Sequence, residues 1–165
     1  MKKLFLIMMM FVPMTMMAQK FGHVNPEDVI QSLPEFTKAQ QELETLGKQY
    51  EKELTDSQAE LQRQAEAYDK NKSTMNATKQ QETEANINQL MQKYQQAYQD
   101  NQQELAKQQQ EKMAPIMNKI TTAIKNVGKN GGYVYIMDST AGIPYISETL
   151  STDVTAQVKA KLGLK

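Results

Sequence analysis

The side chains that carry most acid–base, nucleophilic and metal chemistry are scarce in this sequence. Its 165 residues contain no cysteine and one histidine, His23. Without cysteine there is no disulfide, no thiolate nucleophile and no thiolate metal site. A lone histidine leaves little room for a zinc site or a His-based proton relay, and His23 is read as a strand residue. The acidic side chains do not make up the shortfall. Glu42 and Glu44, like Glu51 and Glu53, stand two residues apart on helical sequence, so their carboxylates point to different faces and form no catalytic dyad. The glycines of Gly128–Gly132 lack the following helix whose N-terminus would cradle a phosphate. An enzyme is therefore not expected, nor is a cofactor or metal.

The elements that could present these side chains are dominated by one stretch, from Pro34 to about Val127. It is rich in Gln, Glu and Lys and has no glycine after Gly47. Phe36, Ala39, Leu43, Leu46 and Tyr50 repeat at helical spacing, followed by Leu54, Ser57, Leu61, Ala65, Tyr68, Lys72 and Met75. The apolar pattern breaks at Asn71–Thr78, where Thr78 and Gln81 resemble a capping box for a second helix. In that returning helix Tyr94, Leu105, Ile116 and Val127 lie eleven residues apart, as do Ile87, Tyr98, Gln109 and Ile120, a period that predicts nearly straight pairing. Folding the chain back about position 76 brings Leu54 near Tyr98, Leu61 near Met91 and Phe36 near Ile116. The seam is thin. Asn101, Gln109 and Lys112 fall on core-like positions, and twelve Gln lie between Gln80 and Gln110. Pro115 removes a helix hydrogen bond and predicts a kink where the hairpin meets a better packed base at Ile116, Ile120, Ile124 and Val127.

The two ends of this excursion read as β sequence with short helices. Phe21–Val24 is a strand candidate, and Asn25-Pro26-Glu27-Asp28 is a helix start with a capping side chain, proline at the first turn and acids at the positive dipole end. Glycines at 128, 131 and 132 end the long helix. Tyr133–Met137 is the clearest strand, Ile143–Ser147 a weaker second one, and Ser151-Thr152-Asp153 caps a last helix with Val154, Val158 and Leu162 on its apolar face. So few short strands would expose unpaired edges if left alone. Pairing with copies of the same chain removes those edges, so a homo-oligomer with a shared β base is expected. Phe21, Val24, Tyr133, Val134, Tyr135, Ile136 and Ile146 are the candidates for its core.

Composition agrees with an elongated helical object: hydrophobic content is 39%, aromatic content 7%, and there is no tryptophan. Residues 1–18 form a secretory signal pattern, with Lys2 and Lys3, an apolar run Leu4–Val12, and Ala18 as the small residue at the cut. The run is too short and too interrupted, by Pro13 and Thr15, for a membrane span. Cleavage takes two of the 19 basic side chains and none of the 19 acidic ones, leaving a net charge of −2. That balance argues against nucleic acid as a partner, and stable membrane insertion is not expected after cleavage. The chain divides into a signal (1–18), a body (19–35 and 113–165) and an arm (36–112) that turns near 73–78.

A signal peptide, the run Phe21-Gly22-His23-Val24-Asn25, a long helical hairpin, Tyr133–Asp138 and a closing Asp153-Val154-Thr155…Val158 helix together resemble the Skp/OmpH family, along the whole mature chain. That resemblance implies a periplasmic chaperone of Gram-negative bacteria. It also implies a homotrimer in which a small β-barrel body, shared between subunits, carries three helical tentacles around a cavity. Unfolded outer-membrane proteins would be held there without ATP. The fold class is then mainly α with a small β body, a long antiparallel hairpin projecting from a short-stranded barrel base. This chain departs from the closely studied, strongly basic members in being near neutral, so binding of lipopolysaccharide is not carried over. Two readings stand for Tyr68, Met75, Ile87, Leu90, Met91, Tyr94 and Tyr98 in the outer arm: they pair the two helices, or part of the set contacts the client. The alternative function is a structural coiled-coil or adaptor protein of the cell envelope.

Overall fold

A computed structural model describes residues 19–164; the signal pattern at 1–18 lies outside the described residues. The chain runs β1 (Lys20–Val24), α1 (Pro26–Gln31), α2 (Pro34–Asn71), a single 3-10 turn (Lys72–Thr74), α3 (Ala77–Gly131), β2 (Tyr133–Asp138), β3 (Ser151–Asp153) and α4 (Thr155–Lys161). At 1.5 Å per residue the 38 residues of α2 span about 57 Å.

The three strands form one parallel sheet in the order β2-β1-β3. Two parallel neighbours in a sheet need a crossover between them, and here the crossover from β1 to β2 is the whole hairpin. Alternation along β1 sends Gly22 and Val24 toward the helices, leaving Phe21 and His23 on the other face. Phe21 stacks there on Tyr135, with ring centroids 4.9 Å apart. Val24, Val29, Leu33, Ile120, Val154 and Val158 are fully buried, and Ala39, Ile116, Ala123 and Val127 complete the core. All of them lie in the sheet, the two short helices, the junction residues Leu33 and Val154, or the ends of α2 and α3 nearest the sheet.

Local chemistry accounts for the boundaries. Asn25 caps α1 by accepting from the Asp28 N–H at 3.0 Å, ahead of Pro26. Gly132 ends α3 in the left-handed conformation, φ +69°, which a residue with a Cβ rarely adopts. The Lys20 ammonium donates to the Gly131 carbonyl at 3.2 Å, tying the start of β1 to the end of the long helix.

Four sequence expectations are corrected. The third strand is Ser151–Asp153, and Ile143–Ser147 is not a strand. Pro144 brings no N–H to a ladder, while Ser151 N–H turns back to the Ser147 carbonyl at 3.1 Å. Ile146 therefore lies in the connection between β2 and β3. Second, Ser151–Asp153 is a strand and not the cap of α4, and the residue at the N-cap position is Val154. Asp153 does accept from Thr155 N–H at 2.8 Å, so it serves the helix start from its strand. Third, α3 is capped by Asn76, whose side chain accepts from Lys79 N–H at 2.8 Å, and Thr78 lies inside the helix. Fourth, the eleven-residue line through Ile87, Tyr98, Gln109 and Ile120 is not a seam, because Tyr98 and Gln109 are exposed.

Candidate functional site: the helical arm

The arm is an antiparallel hairpin of α2 and α3 folded about Asn76–Ala77. Its register is fixed by three polar rungs between the helices. Lys119 bonds Glu35 at 2.5 Å and Lys112 bonds Glu42 at 2.6 Å near the base, and Tyr68 donates to Glu84 near the tip. The tip is closed by the Gln80 amide, which donates to the carbonyls of Lys72 at 2.8 Å and Met75 at 3.1 Å.

Between the rungs the seam is loose. From Gln40 to Pro115 no residue is buried. Leu43, Leu46, Tyr50, Leu54 and Leu61 of α2 are half-buried, as are Ile87, Leu90, Tyr94 and Leu105 of α3. In the outer part of α3 the half-buried positions Thr83, Ile87, Leu90, Tyr94, Ala97 and Asn101 step by four and three, a seven-residue rhythm. The line Tyr94, Leu105, Ile116, Val127 keeps to the seam and becomes buried only at its inner end. Asn101 sits in this seam with its amide nitrogen enclosed and without a hydrogen-bond partner among the described residues. Gly47, also half-buried, has nothing within 4 Å of where a Cβ would stand. Such a seam contributes little beyond what each helix supplies on its own.

The charged pairs are solvent-exposed, and their pKa shifts follow their partners. The Lys119 ammonium lowers Glu35, and the Lys112 ammonium lowers Glu42. The fork of Arg63, helped by the Gln64 amide, pulls Glu60 down to about 2. The paired carboxylates of the sequence do part company: Glu42 turns to Lys112, while Glu44 turns to Lys48 at 2.6 Å. His23 reaches Ser151 Oγ at 2.9 Å across the β1–β3 pair. Among the described residues no group of His, Cys, Asp or Glu is arranged to hold a metal ion, and no helix is long and apolar enough to cross a membrane.

Of the candidate contact residues, Tyr68, Met75, Ile87, Leu90 and Tyr94 are half-buried in the seam. Met91 and Tyr98 point outward, 44% and 51% exposed. Of the candidates for an oligomer core, Val24 is enclosed by the chain's own core, and Tyr133 and Ile136 pack against it. Phe21, Val134, Tyr135 and Ile146 are left partly or largely exposed. Sequence reasoning passed over one feature. Near the arm's base a groove of about 720 Å³ opens between the helices, lined by Phe36, Gln40, Leu43, Glu44, Leu105, Gln109 and Met113. It forms only where the two helices meet, and neither helix carries a pattern of its own that marks it.

This architecture, a small parallel sheet from which one very long helical hairpin departs and returns, matches a known family. The description "Outer membrane protein (OmpH-like)" fits residues 20–162. The chain belongs to the OmpH-like family. No curated protein matches it significantly. Among solved structures it is similar to the OmpH-like protein of Caulobacter crescentus CB15, assigned as an outer membrane chaperone. The TM-score is 0.74 at 20% sequence identity, covering 87% of this chain and 83% of that one. At that identity the likeness speaks for the OmpH-like fold: a mainly helical chain with a small sheet and a long hairpin arm.

Proposed function

We propose that this protein is an ATP-independent holdase of the periplasm, which binds unfolded outer-membrane proteins between its helical arms and keeps them from aggregating. The observation that carries the reading is the packing contrast within one chain. The body has a closed core, whereas the arm from Gln40 to Pro115 buries no residue and keeps Leu, Tyr, Ile and Met side chains half-open along its length. A spacer or adaptor arm gains from a dry, tightly paired seam. A surface that must accept many unrelated chains gains from half-exposed apolar groups that re-pack at little cost.

The assembly we propose is a homotrimer with a shared β base. β2 is an edge strand on which Val134, Tyr135 and Met137 are exposed, and Tyr145 and Leu150 stand out from the connection that follows. An apolar edge of this kind is covered by pairing with another copy. Three arms acting on one client then add many weak contacts by avidity. Secretion through a cleaved 1–18 signal places the chain in the periplasm, where no ATP is available to drive release; the client leaves when it folds into the outer membrane.

The experiment is dilution of a urea-unfolded outer-membrane barrel protein into buffer with the purified mature chain, followed by light scattering. Suppressed aggregation at trimer excess is the expected result. Unchanged aggregation rejects the holdase reading, and a monomer in sedimentation equilibrium at micromolar concentration rejects the shared base.

A further inference from the structure

Beyond Glu84, the charges along the middle of α3 are segregated. From Asn88 to Lys119 its ionisable side chains other than Tyr are Lys93, Asp100, Glu104, Lys107, Glu111, Lys112 and Lys119. Spacings of seven, four, three and four from Lys93 to Glu111 keep them on one stripe of the helix. The opposite line runs Met91, Gln95, Tyr98, Gln102, Gln109, Met113, again at helical spacing, and bears no charge. All of these are exposed except Met113, which is half-buried. The hydrogen bonds divide the same way. Gln96 and Gln108 turn to the acids of the charged side, Asp100 at 2.8 Å and Glu104 at 2.9 Å. Gln95, Gln102 and Gln109 make no side-chain hydrogen bond among the described residues.

At its inner end the uncharged line runs into the groove formed by Leu105, Gln109 and Met113 with Phe36, Gln40, Leu43 and Glu44, whose carboxylate is paired with Lys48 along its own helix. The other side of the hairpin root is different. There Glu35–Lys119, Glu42–Lys112 and Lys38–Glu42 form a lattice of ion pairs over Ala39 and Ile116. The arm therefore has a charged side and a neutral side, and the neutral side joins exposed Met and Tyr to a groove lined by apolar and amide side chains with Glu44 as its one carboxylate.

We infer that this neutral face of α3, from Met91 to Met113 and into the Phe36–Leu43 groove, is the wall that touches the client. Its occupant is an uncharged, extended stretch of unfolded outer-membrane polypeptide. This rests on the holdase reading and adds which side of the arm binds and what it selects. The match is chemical. An unfolded transmembrane strand offers bare backbone N–H and C=O groups along with alternating apolar side chains. Glutamine amides both donate and accept, so they serve either backbone group. Met and Tyr cover the apolar side chains without demanding one shape. A charged wall would have to be desolvated against an uncharged partner, which disfavours binding.

The test places a photo-crosslinking side chain at Gln102 in one full-length mature chain and at Lys107 in another. It is paired with the double variant Gln95→Glu, Gln102→Glu and the control Lys107→Glu. The probe is a urea-unfolded eight-stranded outer-membrane protein, and circular dichroism and sedimentation confirm that each variant keeps its helix and assembly. Crosslinking from position 102 and not 107, with about tenfold weaker binding by the double variant and unchanged binding by the control, is the expected result. Equal crosslinking from both positions overturns the inference and leaves the holdase reading standing, as does unaltered binding by the double variant. No crosslink from either position and no binding by the parent chain overturn both.

Discussion

Glu42 and Lys112, 70 residues apart in sequence, meet at 2.6 Å across the root of the arm. With Glu35 and Lys119 about two turns further in, they set the register in which α2 and α3 face one another. Because Lys112 holds the Glu42 carboxyl below the usual glutamate value of 4.5, and Lys119 does the same for Glu35, both groups titrate late. The folded value is depressed, so the stabilising contribution is complete above the unfolded glutamate range and disappears as pH falls through the folded value. Carboxyl NMR titration should give midpoints below 4.5 for both residues, and Lys112→Gln should raise that of Glu42. A Glu42 midpoint unmoved by Lys112→Gln would show that the rung does not form. Exposed pairs of this kind add little to global stability, so the effect belongs to local exchange at the root and not to the melting temperature.

Core truncations should separate body from arm. Ile120, 1% exposed, is enclosed by the sheet and the short helices; Ile120→Ala should cost roughly 2–5 kcal/mol. Leu61, half-buried in the seam, loses less on truncation, and Leu61→Ala should cost about 1 kcal/mol. Chemical unfolding of the two variants measures both. Equal costs would mean that the seam is packed like the core.

Much of this was legible in the sequence, for identifiable reasons. Proline at helix starts, capping Asn25, and glycines at the end of α3 are local signals, and they marked α1, the start of α2 and the junction at Gly132. The hairpin followed from apolar spacing on either side of a polar break. The third strand was misplaced because Ile143–Ser147 is the more β-like sequence, whereas the pairing with β1 is made further on: His23 pairs with Asp153, and Val154 N–H donates to the His23 carbonyl at 2.9 Å. Periodicity also assigned Tyr98 and Gln109 to the seam, although the helices bury Ala97 and Gln108 beside them more deeply. A one-residue shift of face along a long helix depends on how the partner helix winds against it, which one strand of sequence does not encode. The groove beside Met113 is a product of two helices and has no signature in either alone.

Asn101 supplies a direct link between packing and holding. Its enclosed, unpartnered amide in the seam is a standing cost. Asn101→Leu should stabilise the arm by about 1 kcal/mol. If looseness serves client capture, the same variant should protect a client less well in the scattering assay. Better stability together with better protection would argue that the two properties are unrelated.

The start of the return helix at the tip rests on one capping side chain. Asn76 caps α3 and starts the return, so Asn76→Ala should cost about 1 kcal/mol and fray the first turn after Ala77. Faster amide exchange at Lys79 and Gln80, with no change at Ile120, is the expected pattern.

The central claim is that an unfolded client is held on the arm and not on the body. Hydrogen exchange of the full mature chain, with and without a urea-diluted outer-membrane barrel protein, measures this residue by residue. Slower exchange along α2 and α3 between Phe36 and Met113, with β1, α1 and α4 unchanged, is the result this account requires. Slowing confined to the sheet and its exposed β2 edge, with the arm untouched, would contradict it.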